Sequence, residues 1–250
     1  MAQRTAMGYD APSAYATLIG PRYAPVARAL VDAARLRPDD DVLELGAGTG
    51  LVTRLAAPRV RSLLATDVAP GMLDLARRGT RRHPHVRFAL VDYGKRLPFL
   101  DASFDVVLSG LTYVQDSGAA VQELARVLKP RGRVALTMWG AKYHELTLLS
   151  DALESVGRPR IQPPSPARPV QRLERAGLRH VERRDFDVTN RFDSVDEYIE
   201  YRRGFGKPVG AASAFYERYI AAIRRRAEAD ADADGRFELG WTLSVISARR

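Results

Sequence analysis

The stretch from Asp41 to Gly50, Asp-Val-Leu-Glu-Leu-Gly-Ala-Gly-Thr-Gly, constrains this chain more than any other. Val42, Leu43 and Leu45 read as a short buried strand. Gly46, Gly48 and Gly50 then interrupt it at every second position, and a helical pattern starts at Leu51. Glycine at this spacing permits a sharp strand-to-helix turn and lets a ligand lie against bare main chain. An ordinary glycine-rich turn has the same look, so the downstream sequence has to decide.

Downstream, strands and helices alternate with short connections. A helix over Arg22 to Leu36, stopped by Pro38, precedes the glycine stretch. Arg61 to Thr66 reads as a second strand ending at Asp67, followed by a helix carrying Met72, Leu75 and Ala76. Val86 to Val91 is a third strand ending at Asp92, and Phe104 to Leu108 a fourth. Asp116 or Ser117 caps a helix with Val121, Leu124, Val127 and Leu128 on one face, Pro130 closes it, and Gly132 to Trp139 is a fifth strand. Such alternation implies a parallel sheet covered by helices on both faces.

The second half is organised differently. Residues 142–156 read as helix, Pro159 to Pro169 as a proline-rich connection, 170–176 as a short helix and 178–188 as a strand. Ser194 with Glu197 is a capping-box signature for a helix running to about Arg203. A further helix aligns Phe215, Tyr219, Ala222 and Ile223, and Phe237, Leu239, Trp241, Leu243 and Val245 alternate as a terminal strand. The expected layout is a single domain: N-terminal cap helices over 1–40, the core over 41–139, linker and helices over 140–177. The last two strands fall within 178–250, with a helical lid inserted at about 193–230.

Composition narrows the function classes. A chain of 250 residues can bury a substantial core. It contains no cysteine, which excludes disulfides, thiolate zinc sites and cysteine nucleophiles. No apolar run is long enough to span a membrane, so cytoplasmic localisation is expected. The net charge of +9 comes almost entirely from arginine, since Lys95, Lys129, Lys142 and Lys207 are the only lysines. The arginines are scattered apart from small clusters such as Arg77-Arg78 and Arg81-Arg82, which favours a solvated basic surface over a nucleic-acid partner.

In an open parallel sheet, ligands bind beyond the carboxyl ends of the strands. Here those ends carry the Gly46–Gly50 turn, Asp67, Asp92 and Ser109-Gly110. A carboxylate at Asp67 suits a ribose diol, which fits NAD and other adenosine compounds alike. Two details separate them. The dinucleotide fingerprint needs a third glycine at position 51, where Leu51 stands. Asp92 adds a second acid suited to the amino edge of an adenine. A cationic ligand without phosphate fits this rim better than an anionic dinucleotide.

Residues 41–139 resemble the class I S-adenosylmethionine-dependent methyltransferases, in particular the type 11 or ubiquinone-biosynthesis-like group. The resemblance is carried by the Val42–Gly50 stretch, Asp67-Val-Ala-Pro-Gly-Met72-Leu and Leu97-Pro-Phe-Leu-Asp-Ala-Ser-Phe-Asp-Val-Val. Ala125-Arg-Val-Leu-Lys-Pro-Arg-Gly-Arg-Val-Ala-Leu completes the set. An extra residue between Asp92 and Leu97, and Arg131 in place of the usual glycine, depart from the pattern. The resemblance implies a Rossmann-like, doubly wound seven-stranded α/β sheet with an antiparallel last strand, S-adenosylmethionine as cofactor and S-adenosylhomocysteine as product. It also implies that Gly46, Ala47 and Gly48 pass under the methionine part, with Glu44 supporting the turn or reaching the ammonium through water, and Gly50 is counted with the cofactor residues. Asp67 would bind the ribose hydroxyls, with Val68 and Met72 flanking the adenine. Asp92, beside Tyr93, would take the adenine amino group, Ser109, Gly110 and Leu111 would line the methionine, and Tyr15 is counted with the cofactor residues. Core packing is an equal alternative for Met72.

Methyl transfer from a sulfonium needs alignment and exclusion of water more than a catalytic residue. A base matters only for an acceptor that starts protonated, and His144 and Tyr113 are the candidates. The place after the fourth strand holds Ser109-Gly110-Leu111-Thr112 rather than Asn/Asp-Pro-Pro-aromatic, which argues against amine methylation of bases. Trp139-Gly140-Ala141-Lys142 offers no acidic metal ligands. The expectation is therefore a metal-independent methyltransferase for a small aromatic or hydrophobic acceptor, with a homodimer left open. The N-terminal segment with Tyr9, Tyr15 and Tyr23, and Tyr198, Tyr201, Phe205, Phe215, Tyr216 and Tyr219 of the lid, are candidate acceptor contacts or packing residues. An RNA or protein methyltransferase on the same fold, a nicotinamide enzyme and a non-catalytic nucleotide-binding protein stay open as alternatives.

Overall fold

The computed structural model describes residues 13, 15–112, 114–161, 167–207 and 211–250. Its centre is a seven-stranded sheet in the order β3-β2-β1-β4-β5-β7-β6. The strands are β1 (Asp41–Leu45), β2 (Ser62–Asp67), β3 (Val86–Leu90), β4 (Phe104–Gly110), β5 (Leu128–Tyr143), β6 (Arg179–Phe192) and β7 (Phe237–Arg249). Helices α1 (Ala24–Ala34), α2 (Leu51–Ala56), α3 (Pro70–Gly79) and α4 (Gly118–Val127) alternate with the first five strands. They are followed by α5 (His144–Ser155), α6 (Ala167–Arg175), α7 (Val195–Arg203) and α8 (Ser213–Asp230). Strands β3, β2, β1, β4 and β5 pair in parallel. The last strand is antiparallel: Arg131 N–H donates to Arg250 O and Arg250 N–H to Gly132 O, joining the start of β5 to the end of β7.

The chain divides into two compact units, one of Tyr23–Met138, Ser165–Asp185 and Leu243–Arg250, the other of Met1–Arg22, Trp139–Pro164 and Phe186–Thr242. In the first, the two-residue period of the central strands separates two hydrophobic layers. Val42, Val106, Leu108 and Ala135 pack with α1, α2 and α3 residues such as Leu30, Val52 and Leu73. Leu43, Leu45, Val107, Val134 and Leu136 face the other way, onto Leu124, Leu173 and Ile246. Alternate burial on both faces is what a helix-covered parallel sheet requires, and it rigidly fixes the strand ends.

In the second unit, Phe192 packs against Tyr198 and Tyr201 with ring centroids 5.1 and 5.2 Å apart. Ser194 caps α7 by accepting the Glu197 N–H at 3.1 Å. The Glu197 carboxylate completes the cap on Asp193 N–H, one residue earlier than in the usual capping box. A buried ion pair joins Arg202 to Glu145 at 3.0 Å, and the hydroxyls of Tyr143 and Tyr198 also donate to that carboxylate. Burial, reinforced by the Glu145 charge, pushes the Tyr198 hydroxyl well above its ordinary pKa.

Several elements run longer than their apolar patterns. Strand β5 spans Leu128–Tyr143 rather than Gly132 to Trp139, β6 continues to Phe192 and β7 to Arg249. Backbone pairing carries these strands past the point where side-chain alternation stops. Most of β6 is exposed, so it has no alternation to read.

At the start of β5, Phe104 pairs with Leu128 but Val106 pairs with Arg133, leaving a bulge at Lys-Pro-Arg-Gly. Arg131 sits there at φ 65°, in the left-handed region. This accounts for the glycine usual at that place in the resembling family. Left-handed backbone costs a side-chain-bearing residue about 1–2 kcal/mol. Glycine returns about 0.4–1 kcal/mol of that through the freer unfolded chain. Arg131→Gly is therefore expected to raise stability by about 0.5–1 kcal/mol, read as a midpoint increase in urea unfolding. A lower midpoint would show that the bulge is not strained.

Candidate functional site

The carboxyl ends of β1, β2 and β4 converge on the glycine turn. Gly46, Gly48 and Gly50 all have positive φ (74°, 55° and 81°). A Cβ at Gly50 would lie 2.8 Å from the Ala76 backbone, and one at Gly46 would collide with the Thr112 methyl. At Gly48 nothing stands within 4 Å of that position, so the main chain faces open space there.

Four of the turn's amides are used internally. Gly46 N–H and Ala47 N–H both donate to Thr66 O at 2.8 Å, and Gly50 N–H donates to Ala47 O at 3.0 Å. Gly48 N–H donates to Asp67 Oδ2 at 2.8 Å. The other Asp67 oxygen accepts Ala69 N–H at 3.0 Å, so this carboxylate ties the β1 turn to the end of β2. No fan of free amides is left at Gly46–Gly48 to cradle a phosphate.

Behind the turn lies Glu44, 2% exposed. Thr53 Oγ1 donates to its Oε2 at 2.7 Å. Burial raises the Glu44 carboxyl to about 7; the Asp67 charge adds to the shift, and the Thr53 hydroxyl and Arg54 oppose it. Asp92, at the end of β3, is exposed and accepts Gly94 N–H at 2.8 Å, which folds the inserted residue of that loop into a turn. Val91 N–H donates to Asp67 O at 3.0 Å, bringing the two acid-bearing strand ends side by side. Val68 is 54% exposed, whereas Met72 is 2% exposed and packed into the core. Tyr93 is half-buried against the hydrophobic layer that includes Leu97. At the end of β4, Ser109 is buried, and Leu111 is held at φ 49° by two bonds from its N–H to Thr137, at 3.0 and 3.1 Å.

The profile of the family described as "Methyltransferase domain" matches residues 43–136, the segment that carries all of these strand ends. That segment therefore matches a methyltransferase domain. Among relatives, a demethylmenaquinone methyltransferase of Streptomyces griseus is 39% identical over 111 residues, 44% of this chain and 46% of that protein. A malonyl-[acyl-carrier protein] O-methyltransferase of Serratia marcescens is 33% identical over 155 residues, 61% of this chain and 56% of that protein. The chain thus spans about half the length of these two curated relatives. The fold is shared with the YcgJ protein of Bacillus subtilis at a TM-score of 0.66 and 20% identity, covering 90% of this chain and 98% of that one.

The donor set of this segment fits the cofactor of the matching family. The acids Asp67 and Asp92, with bare main chain at Gly48, suit a ligand that carries ribose and adenine but no phosphate, while the buried Glu44, raised to about 7, lies behind the turn. Glu44, Gly46, Ala47, Gly48, Gly50, Asp67, Val68, Met72, Asp92, Tyr93, Ser109, Gly110 and Leu111 all belong to the first compact unit. Tyr15 belongs to the second, where its ring meets Phe205 edge-on at 5.8 Å. His144 is there too, exposed at the start of α5, its imidazole beside Gly240. Tyr113 and Tyr9 lie outside the described residues. Among the described residues, no group of three His, Asp or Glu side chains is placed to hold a metal ion. None of the described helices is long and apolar enough to cross a membrane.

Sequence reasoning missed Thr53, Thr66 and Thr112. Thr66 Oγ1 donates to Glu44 O at 2.7 Å, so hydroxyls on three different elements buttress the turn. Threonine carries no spacing signal, and only the fold brings these together. The Glu145–Arg202 pair was likewise invisible, its members 57 residues apart.

Proposed function

We propose that the protein transfers a methyl group from S-adenosylmethionine to a small aromatic or hydrophobic acceptor, on oxygen, nitrogen or carbon, without a metal. One observation carries the choice of ligand: the amides of Gly46, Ala47 and Gly48 are already donated to Thr66 and Asp67. A dinucleotide finds no free donor among those three amides for its pyrophosphate. A phosphate-free adenosyl ligand can lie across Gly48 without disturbing them.

When bound, the cofactor supplies a methyl on a positively charged sulfur, a leaving group that needs no protonation. The protein's part is to hold it. Each Asp67 oxygen accepts one backbone N–H and keeps lone pairs for the ribose hydroxyls. Asp92 offers its second oxygen to the adenine amino group, and Glu44 supports the methionine end from below the turn. Ser109, Gly110 and Leu111 form the wall beside the methyl. An acceptor that reacts as a neutral phenol or alcohol needs a proton taken up, and the exposed His144 is the proposed base. Acceptor contacts are assigned to the unit containing Tyr15 and α7–α8. There Tyr198, Tyr201 and Tyr219 are buried as packing, while Phe205, Phe215 and Tyr216 are half-exposed. The two relatives' names specify different acceptors, demethylmenaquinone and malonyl-[acyl-carrier protein], so membership of the group leaves the acceptor class to this unit.

Calorimetric titration of the purified protein with S-adenosylhomocysteine and, separately, NADH tests this reading. Micromolar or tighter binding of the first and none of the second is expected. Tight NADH binding without adenosyl-sulfur binding would overturn it.

A further inference from the structure

We infer that Thr112 is a positioning residue for the methyl donor, acting as a latch that fastens the end of β4 to the glycine turn. The inference rests on reading these strand ends as the donor's seat. Ser109 Oγ lies 3.2 Å from Leu45 O, to which it donates, and 2.5 Å from Thr112 Oγ1. A hydroxyl has a single proton. Assigning the Ser109 proton to Leu45 O makes the Thr112 hydroxyl the donor of the short bond between them. Thr112 Oγ1 in turn accepts Val114 N–H at 3.4 Å. The result is an ordered chain from Val114 N–H through Thr112 and Ser109 to the carbonyl at the end of β1.

The peptide where that chain ends is the first of the glycine turn. Its oxygen, on Leu45, is held by Ser109, and its N–H, on Gly46, is held by Thr66 O at 2.8 Å. Both polar atoms of the Leu45–Gly46 peptide are therefore fixed, one from β4 and one from β2. The Thr112 methyl lies over Gly46 in the space a Cβ would take. Between the two hydroxyls, Leu111 is kept in left-handed backbone. A branched residue stays there only where its surroundings enforce it, and such strain concentrates at functional positions. Two walls of the seat, Gly46–Gly48 and Ser109–Leu111, are thus coupled through Thr112. With its proton directed inward, the Thr112 hydroxyl serves as a fastener rather than as a base.

The hydroxyl and the methyl can be separated. Thr112→Val keeps the cover over Gly46 and breaks the chain, while Thr112→Ser keeps the chain and removes the cover. Affinity for S-adenosylhomocysteine would be measured by calorimetry and exchange of the Gly46 amide by NMR, both independent of turnover. Thr112→Val is expected to weaken binding about tenfold and speed amide exchange, raising KM for the donor in the same ratio with kcat within threefold. Thr112→Ser should stay within threefold of the unmodified protein in all of these. Ser109→Ala breaks the same chain from the other side, and the double variant Ser109→Ala/Thr112→Val should be no worse than either single. Unchanged binding in Thr112→Val, equal losses in Val and Ser variants, or additive losses in the double variant would each overturn the latch. If Thr112→Val leaves binding intact while Asp67→Ala abolishes it, the latch fails but the seat stands. If Asp67→Ala also has no effect, the seat itself is misplaced.

Discussion

Asp67→Ala is expected to weaken S-adenosylhomocysteine binding on the order of a hundredfold. The carboxylate accepts two backbone N–H groups, from Gly48 at 2.8 Å and Ala69 at 3.0 Å, and is proposed to accept the ribose hydroxyls as well. Hydrogen bonds to a charged acceptor contribute about 1.5–3 kcal/mol each. Losing two from the ligand gives at least about 3 kcal/mol, or roughly two orders of magnitude in Kd. The freed Gly48 amide adds a second effect, because the turn loses its tie to β2. Asp67→Asn, which retains one acceptor oxygen, should fall between the two. The measurement is a Kd by calorimetry alongside a melting curve. A loss below threefold in a folded Asp67→Ala protein would remove Asp67 from the site.

The second large effect concerns pH. Glu44 is buried and its carboxyl is raised to about 7 by burial, against an ordinary value of 4.5. Between those two pH values the unfolded chain has released the Glu44 proton and the folded chain still holds it. The unfolded state then binds fewer protons, so stability falls as pH rises through this window and levels off above it. The full difference is about 3 kcal/mol. Glu44→Gln can still accept the Thr53 hydroxyl and has no charge to bury. It should match the unmodified protein near pH 4.5 and exceed it at pH 8 by roughly 6–10 °C in Tm. Parallel stability–pH curves for the two proteins would show that Glu44 does not titrate in this window.

Much of this was legible in the sequence, and the reasons differ by residue. The first five strands and four helices of the alternating core were readable because each strand carries a compact apolar run and each helix a stop such as Pro38 or a cap such as Ser117. The places of Asp67 and Asp92 were readable because each follows a compact apolar run that forms a strand. The extents of β5, β6 and β7 were not, since they are set by hydrogen bonding to neighbours rather than by side-chain pattern. The role of Arg131 could be seen only as a departure from the resembling family; its positive φ gives the departure a physical meaning. Thr53, Thr66 and Thr112 were hidden because a hydroxyl's partner is chosen in space. Glu145 and Arg202, 57 residues apart, carry no pairing signal in the sequence, and only the fold buries them together.

The saturated turn has a consequence for life in a crowded solution of metabolites. Most adenine nucleotides in a cell are phosphorylated, and they outnumber any adenosyl sulfonium. A pocket that excluded them by bulk would also have to exclude the adenosine they share with the intended ligand. The proposed seat would discriminate otherwise: the Gly46, Ala47 and Gly48 amides are already engaged with Thr66 and Asp67, so a polyphosphate finds no free donor among those three and meets a carboxylate. If the proposed seat is right, selectivity against abundant competitors is built into the resting protein, present before any ligand arrives.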